Sequence, residues 1–285
     1  MPTTNRTAFR LLATDLDGTL VDPEGHLQPR TRKALAAARH RGVKVVACTG
    51  RRWRTAKPLL DALELEGPVV VQNGTVVKDA RSGQTLRHRY FPDRLYQPVL
   101  NLTHRFGSPL VYIDSPDGTV DIVCKQGGSQ HFFQREYIEK NRDFVRQVAS
   151  LDTPPEEPVV MMSWMADGEL LESLAEFAHQ EIGSGFYTHL IQNKMYRGDI
   201  LEILSPLANK WNAVYDIAKS LGIGAHEIVA MGDDDNDLPM IRGAGLGIAM
   251  ANAKPSLLAE ADFVTASNAK DGAALAIERF LLESA

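Results

Sequence analysis

Two rhythms of apolar and polar positions divide this chain. In the first, short unbroken apolar runs alternate with stretches whose apolar positions recur every three to four residues. "FRLLATD" (9–15), "VKVVACTG" (43–50) and "GPVVVQNG" (67–74) are such runs, and they predict buried strands. "QPRTRKALAAARHRG" (28–42) and "WRTAKPLLDALEL" (53–65) predict helices. Pro29 opens the first and Gly42 stops it; Pro58 is an early-turn residue or an interruption of the second. Strands alternating with helices imply right-handed βαβ units and a parallel sheet.

From about Thr75 the rhythm changes. "TVVKDARSGQTLRHRY" (75–90) reads as two strands around a Ser-Gly turn. A helical "DRLYQPVLNLTHRF" (93–106) follows, then strand-like "PLVYID" and "TVDIVCK" and a mixed stretch to about Ser150. "LDTPPEEP" (151–158) is a Pro-rich, acidic connector. "VVMMSWM" (159–165) and "GFYTHLIQN" (185–193) predict strands on either side of an amphipathic helix, "ELLESLAEFAHQE" (169–181). This stretch reads as a separate α+β unit.

The first rhythm returns from about Asp199. "DILEILS" and "EIVAMGD" read as strands, "NKWNAVYDIAKSLG" as a helix, and "LGIAMANA", "ADFVTAS" and "DGAALAIERFLLES" follow. The expected fold is therefore α/β: a Rossmann-like parallel-sheet core built from residues 1–81 and 198–285, with an α/β domain, 82–197, inserted between them.

Composition narrows the setting. Of 285 residues 44% are hydrophobic and 24% charged, and the formal net charge is −5, so nothing marks a nucleic-acid partner. Two cysteines, Cys48 and Cys124, cannot make a disulfide framework, which fits a reducing environment. "MPTTNRTAFR" contains no apolar stretch of the signal-peptide kind, and no run approaches the roughly 20 residues needed to span a bilayer. A cytoplasmic protein without membrane contact is the expectation. Oligomeric state is not legible.

Polar residues stand at four predicted strand ends: Asp15 and Asp17, Thr49, Asn73, and "GDDDND" from Gly232 to Asp237. In an open parallel sheet these ends line one crevice, so residues far apart in sequence converge. Asp15, Asp17, Asp233 and Asp237 supply carboxylates, an oxygen-rich set suited to Mg²⁺, which would also relieve their mutual repulsion. The Thr49 hydroxyl, a helix start and the Lys210 ammonium together suit a phosphate. A carboxylate can attack phosphorus to give an aspartyl-phosphate. Asp15, at the strand end, is the better fixed of the first pair and is the expected nucleophile. Asp17 is then the general acid for the leaving alcohol and the base for water, a role that calls for surroundings that raise its pKa. Gly18 permits a tight turn and Thr19 is placed to hold it.

"DLDGT" (15–19), "CTGR" (48–51), "NK" (209–210) and "GDDDND" (232–237) resemble, in order, the four motifs of the haloacid dehalogenase superfamily. The insertion after the third strand, "NG" at Asn73–Gly74, "GIAMANA" and "DG" at Asp271–Gly272 resemble its Cof-type branch with a large α/β cap (type IIB). The resemblance covers nearly the whole core; the cap matches in position and size more than in motif. It implies a Mg²⁺-dependent phosphatase of small phosphorylated metabolites, such as a sugar phosphate, a nucleotide or a phosphorylated cofactor. Asp15 resembles the nucleophile and a metal ligand. Asp17 resembles the acid/base and lends its backbone carbonyl to the metal. Thr49 with Gly50, and Lys210, resemble the phosphate-binding groups. Asp233 resembles the metal ligand of the last motif, with Asp237 supporting the metal shell, while Asn236 and Asn73 contact phosphate or order the site. An aspartate at position 17 sets the chain apart from the dehalogenases and P-type ATPases. A cap of this kind closes over the core, excludes water and selects the leaving group.

Two rival functions carry the same motifs: a sugar phosphomutase, and a catalytically silent binding protein. Plainer readings attach to other residues. Thr49 alone reads as a helix N-cap, Asp234 and Asp235 as water-facing loop acids, and Arg51 and Arg52 as surface or salt-bridge residues, with Arg51 as a support for the phosphate loop. Asn252 reads as a loop-ordering residue, Cys48 as a buried small hydrophobe. Tyr112, Trp164, His189 and Lys194 in the inserted part carry no specific role.

Overall fold

The computed structural model describes residues 9–115, 118–191 and 198–283. The start of the chain (1–8), Gln192 and Asn193, which end the run expected as a strand over 185–193, and Lys194 lie outside the described residues. By compactness the chain divides into two units, Met1–His88 with Asn209–Ala285, and Arg89–Ala208.

The first unit opens with β1 (Leu11–Thr14), wholly buried, as its unbroken apolar run requires. It then lays down β2 (Lys44–Ala47), β3 (Pro68–Val71), β4 (Val76–Asp79) and β5 (Thr85–His88). The helices between them are Pro29–His40 and Trp53–Ala62; Pro58 sits inside the second. β3, β4 and β5 form a small antiparallel sheet. A parallel bridge between Cys48 and Val70 joins the end of β2 to β3.

The second unit holds a six-stranded sheet. Its strands are β6 (Leu110–Ile113), β7 (Ile122–Lys125), β8 (Val145–Val148), β9 (Val159–Ala166), β10 (Tyr187–Ile191) and β11 (Asp199–Leu204), in the order β10-β11-β9-β6-β7-β8. All pairings are antiparallel except β7 with β8. Met162, Trp164, Leu201, Ile203, Val111 and Val123 share one face and pack with Leu95, Val99, Leu171 and Leu174 of the helices Asp93–Leu100 and Gly168–Ile182. The segment expected as one helix over 93–106 is two, Asp93–Leu100 and Thr103–Phe106.

"DILEILS", expected in the core, is not there: β11 pairs along its whole length with β9 and β10. It is an inner strand of the second unit's sheet, and the division falls at 88/89 and 208/209 instead of 81/82 and 197/198. An apolar alternation fixes which face of a strand is buried, but not which sheet takes it.

After Asn209 the chain adds the helix Lys210–Ser220, β12 (Ile228–Gly232), β13 (Leu246–Ala249) and β14 (Phe263–Val264) to the first unit. Its main sheet runs β14-β13-β12-β1-β2, parallel throughout. From β1 the chain proceeds outward through β2 toward β3; from β12 it proceeds the other way. The order therefore reverses between β1 and β12, and the crevice beyond their carboxyl ends is where doubly wound sheets bind ligands. Among the described residues, no helix is long and apolar enough to cross a membrane.

Candidate active site

The site grows from the two strands at that reversal. Asp15 continues β1 by one hydrogen bond, its backbone N–H donating to the Met231 carbonyl at 3.0 Å. Its side chain is 5% exposed. Opposite, β12 ends at Gly232, where a Cβ would overlap the side chain of Asp237. Asp237 is fully buried, and its Oδ2 accepts the backbone N–H groups of Asp233 (3.0 Å) and Asp234 (3.2 Å), which folds the acidic loop back on itself.

Lys210 enters from the helix it begins. Asn209 caps that helix, its Oδ1 accepting the Asn212 N–H at 2.8 Å. An ammonium at a helix N-terminus is opposed by the dipole, so it needs anions close by. The anions are the protein's own: Nζ donates to Asp15 Oδ1 at 2.5 Å and to Asp237 Oδ1 at 2.6 Å, with Lys210 only 1% exposed. Burial alone would lower the lysine pKa; the two carboxylates outweigh it and hold Lys210 above its ordinary range.

Asp233 completes the group. Thr19 Oγ1 donates to its Oδ1 at 2.9 Å, so Thr19 spans to the last motif instead of fastening its own turn. Gly18 has φ +77°, and a Cβ there would overlap the Asp233 carboxylate. Carboxylate oxygens of Asp15, Asp233 and Asp237 lie within 4.8 Å of one another. Three carboxylates around one ammonium leave a formal charge of −2 in a desolvated place. Burial, joined by the charge of Asp237, pushes Asp233 up to about 7. Burial also pushes Asp15 well above the ordinary carboxylate range; Lys210 opposes this, and Asp237 and Asp233 reinforce it. An all-oxygen donor set with two uncompensated negative charges fits a hard divalent cation such as Mg²⁺.

Asp17 stands apart from this cluster. Its carboxylate is half exposed and is held by Arg51: Nε donates to Oδ2 at 2.7 Å and Nη2 donates to Oδ1. The desolvated surroundings expected for it are absent, and its side chain is not one of the three clustered carboxylates. Arg51 is itself anchored, Nη1 donating to the Thr55 carbonyl at 3.2 Å. The Asp17 hydrogen bonds raise the Arg51 pKa.

Thr49 is buried but is not a helix N-cap. Its Oγ1 accepts the Arg51 N–H at 3.0 Å in a local turn, and the helix starts later, at Trp53, with Arg52 at the cap. Asn73 N–H donates to the Thr49 carbonyl at 3.1 Å. Asn73 itself is buried and left-handed, with φ 55° and ψ 29°. Its Oδ1 accepts from Asn236 Nδ2 at 2.9 Å, tying β3's end to the acidic loop, and a Cβ at Gly50 would stand 3.0 Å from the same oxygen. At Gly74 (φ +92°) a Cβ would overlap the backbone of Asn209. The "NG" pair therefore makes room for the peptide that launches Lys210.

The flanking acids are engaged. Lys254 Nζ lies 2.5 Å from Asp234 Oδ1 and 3.0 Å from Asp235 Oδ2, and Ser256 Oγ donates to Asp235, so neither acid simply faces water. Asn252 does order a loop: Nδ2 donates to the Gly18 carbonyl at 2.9 Å and Oδ1 accepts the Asn268 N–H at 2.9 Å. Cys48 is fully buried, and burial raises its thiol pKa. In the second unit Trp164 donates to the Gly107 carbonyl at 2.8 Å, Tyr112 bonds Tyr137, and buried His189 lies 3.4 Å from Glu202. Arg51 is in a salt bridge, as its plainer reading expects, and its N–H also bonds Thr49 Oγ1; the bond of Thr19 to Asp233, by contrast, has no local sequence signal.

This fold, with its acid-lysine cluster at the reversal point, is that of the haloacid dehalogenase-like hydrolases, and the chain belongs to that family, whose model matches residues 12–277. Its inserted α/β cap is that of the Cof-type branch. Among similar proteins, Bacillus subtilis YxeH is 33% identical over 96% of this chain and 99% of its own. Bacillus subtilis YcsE, a 5-amino-6-(5-phospho-D-ribitylamino)uracil phosphatase, is 28% identical over 96% of both chains. The solved structure of the subclass IIB sugar phosphatase BT4131 superposes with a TM-score of 0.75 at 22% identity, covering 96% of this chain and 100% of that one.

Proposed function

We propose that this protein is a Mg²⁺-dependent phosphatase of small phosphorylated metabolites, acting through an aspartyl-phosphate on Asp15. The observation that carries the reading is the bridge of Lys210 between Asp15 and Asp237, with Asp233 beside them and a net formal charge of −2. The names of relatives add the substrate class: YcsE acts on a phosphorylated ribityl compound and BT4131 on sugar phosphates. A phosphate ester of a sugar or polyol is the leading candidate. Two free, buried cysteines support a reducing, cytoplasmic setting.

Asp15 and Asp233 would hold the cation, Asp15 through its Oδ2 oxygen, with the Asp17 backbone carbonyl as a further ligand. When bound, the cation supplies charge neutralisation between the carboxylate nucleophile and the anionic phosphoryl group. Asp237 has one oxygen on Lys210 and the other on two backbone N–H groups, so its part is to fix the lysine and the loop. Lys210 keeps Asp15 in one orientation and offers positive charge to phosphoryl oxygens, joined by Thr49, the Gly50 backbone and the Asn73–Asn236 amides. Asp15 attacks phosphorus and the ester P–O bond breaks; Asp17 gives the departing alkoxide its proton. Water then attacks the aspartyl-phosphate, Asp17 takes the water proton, and phosphate and free Asp15 are restored.

The test is phosphate release from a metabolite panel with Mg²⁺, ranked by kcat/KM, beside Asp15→Asn. Turnover of several sugar or polyol phosphates that Asp15→Asn abolishes is the expected result. Full activity in Asp15→Asn excludes the nucleophile, and turnover undiminished by a chelator excludes the cation.

A further inference from the structure

We infer that Arg51 is a positioning residue that aims the Asp17 carboxylate at the water of the second half-reaction. The inference rests on the reading of Asp17 as the acid/base given above. Three observations support it. First, the contact is bidentate: two guanidinium N–H donors meet two different carboxylate oxygens, Nε to Oδ2 at 2.7 Å and Nη2 to Oδ1. This fork fixes the plane of the carboxylate as well as its place, which a lysine cannot do. Second, Arg51 is tied elsewhere. Its Nη1 donates to the Thr55 carbonyl at 3.2 Å, and its backbone N–H donates to Thr49 Oγ1 at 3.0 Å. The loop that carries the candidate phosphate-binding threonine thereby also sets the direction of Asp17. Third, the pair is open to solvent: its side chains are 33% and 51% exposed, so water screens its contribution to stability and leaves the Asp17 carboxylate within reach of a reactant.

With both oxygens receiving guanidinium hydrogen bonds, Asp17 is an acceptor held in a fixed direction. That is the form required when water attacks the aspartyl-phosphate. A P–O bond to water forms, the P–O bond to Asp15 breaks, and the water proton passes to Asp17. Loss of the clamp slows this step, while formation of the aspartyl-phosphate from an ester that leaves without a proton is spared.

The experiment uses the whole chain with Mg²⁺ and p-nitrophenyl phosphate, whose leaving group needs no proton. Arg51→Ala is expected to lower kcat about 10- to 100-fold, within the range that general base catalysis supplies. Its kcat/KM, which ends at release of the alcohol, should change less than about threefold, so KM falls with kcat. Acid-quenched enzyme labelled from ³²P-substrate should hold more trapped phosphate than wild type. Arg51→Lys keeps the charge without the fork and should fall between the two, which guards against a folding defect in the alanine variant. Equal losses in kcat and kcat/KM, with no rise in trapped phosphate, overturn the inference. Asp17→Asn separates this outcome from failure of the underlying reading. If that variant accumulates phosphoenzyme while the Arg51 variants do not, only the role of Arg51 fails. If it turns over like wild type, the acid/base assignment itself fails, and the positioning role with it.

Discussion

Gly18 lies where a side chain would occupy the same space as the Asp233 carboxylate, although the two residues belong to opposite ends of the chain. The first motif is therefore shaped by the last. Gly18→Ala has two costs: a φ of +77° that alanine resists, and displacement of Asp233. Strain of this kind amounts to about 1–3 kcal/mol. The expected outcome is a fall in melting temperature of a few degrees together with weakened Mg²⁺ binding, read by calorimetric titration. Wild-type Mg²⁺ affinity in the alanine variant would show that the close approach of Gly18 does not set the place of the Asp233 carboxylate.

Lys210→Met tests the bridge. Removing one partner of a buried ion pair leaves charges without compensation and costs roughly 3–5 kcal/mol. Here Asp15 and Asp237 would both be left. Denaturant unfolding should show a loss of that size, and phosphatase activity should vanish. Adding Asp237→Asn to the same chain should return part of the stability and none of the activity. If the double variant is less stable than the single one by the full Asp237→Asn penalty, the two residues are not coupled.

Mg²⁺ should stabilise the fold itself. A ligand at about 100 times its Kd adds about 2.7 kcal/mol. For a chain of this size that is a rise in Tm of roughly 4–5 °C. Differential scanning fluorimetry with and without Mg²⁺ reads it directly. Asp233→Asn should remove the rise, and Asp235→Asn, whose partners are Lys254 and Ser256, should keep it.

Asp22 governs acid stability at the loop after the first motif. Its Oδ1 accepts the N–H groups of Glu24 (3.1 Å) and His26 (2.7 Å), and its Oδ2 accepts Gln28 Nε2 at 2.5 Å. The backbone N–H of His26, with the side-chain amide of Gln28, lowers its pKa in the folded state. A lowered folded pKa means that the contribution is complete above the unfolded value of about 3.9 and disappears as pH falls through the folded one. Asp22→Ala should therefore melt below wild type at pH 7, and the gap should narrow on acidification below pH 4. A gap independent of pH would assign the effect to packing.

The residues that were legible in the sequence are those whose meaning is local or carried by motif. The unbroken run ending in Asp15 is β1, Gly42 does stop a helix, with φ +86°, and the inserted α+β unit is present. The illegible parts depend on pairing at long range. β11 has the alternation of any half-buried strand, and only its partners β9 and β10 place it. Thr19 had a plausible local bond, but Asp233, 214 residues away, receives its hydroxyl instead. Thr49 precedes a helix closely enough to read as its cap, yet its oxygen closes a shorter turn with Arg51. Asn73 takes a left-handed conformation that asparagine tolerates and no pattern announces.

The second unit ends at Ala208, and the peptide Asn209–Lys210, against which Gly74 fits without a side chain, comes next. Five residues, 205–209, link β11 to the helix that the buried lysine begins. A change of length in this connection would act on Lys210 through the start of its helix, without touching any of the clustered carboxylates.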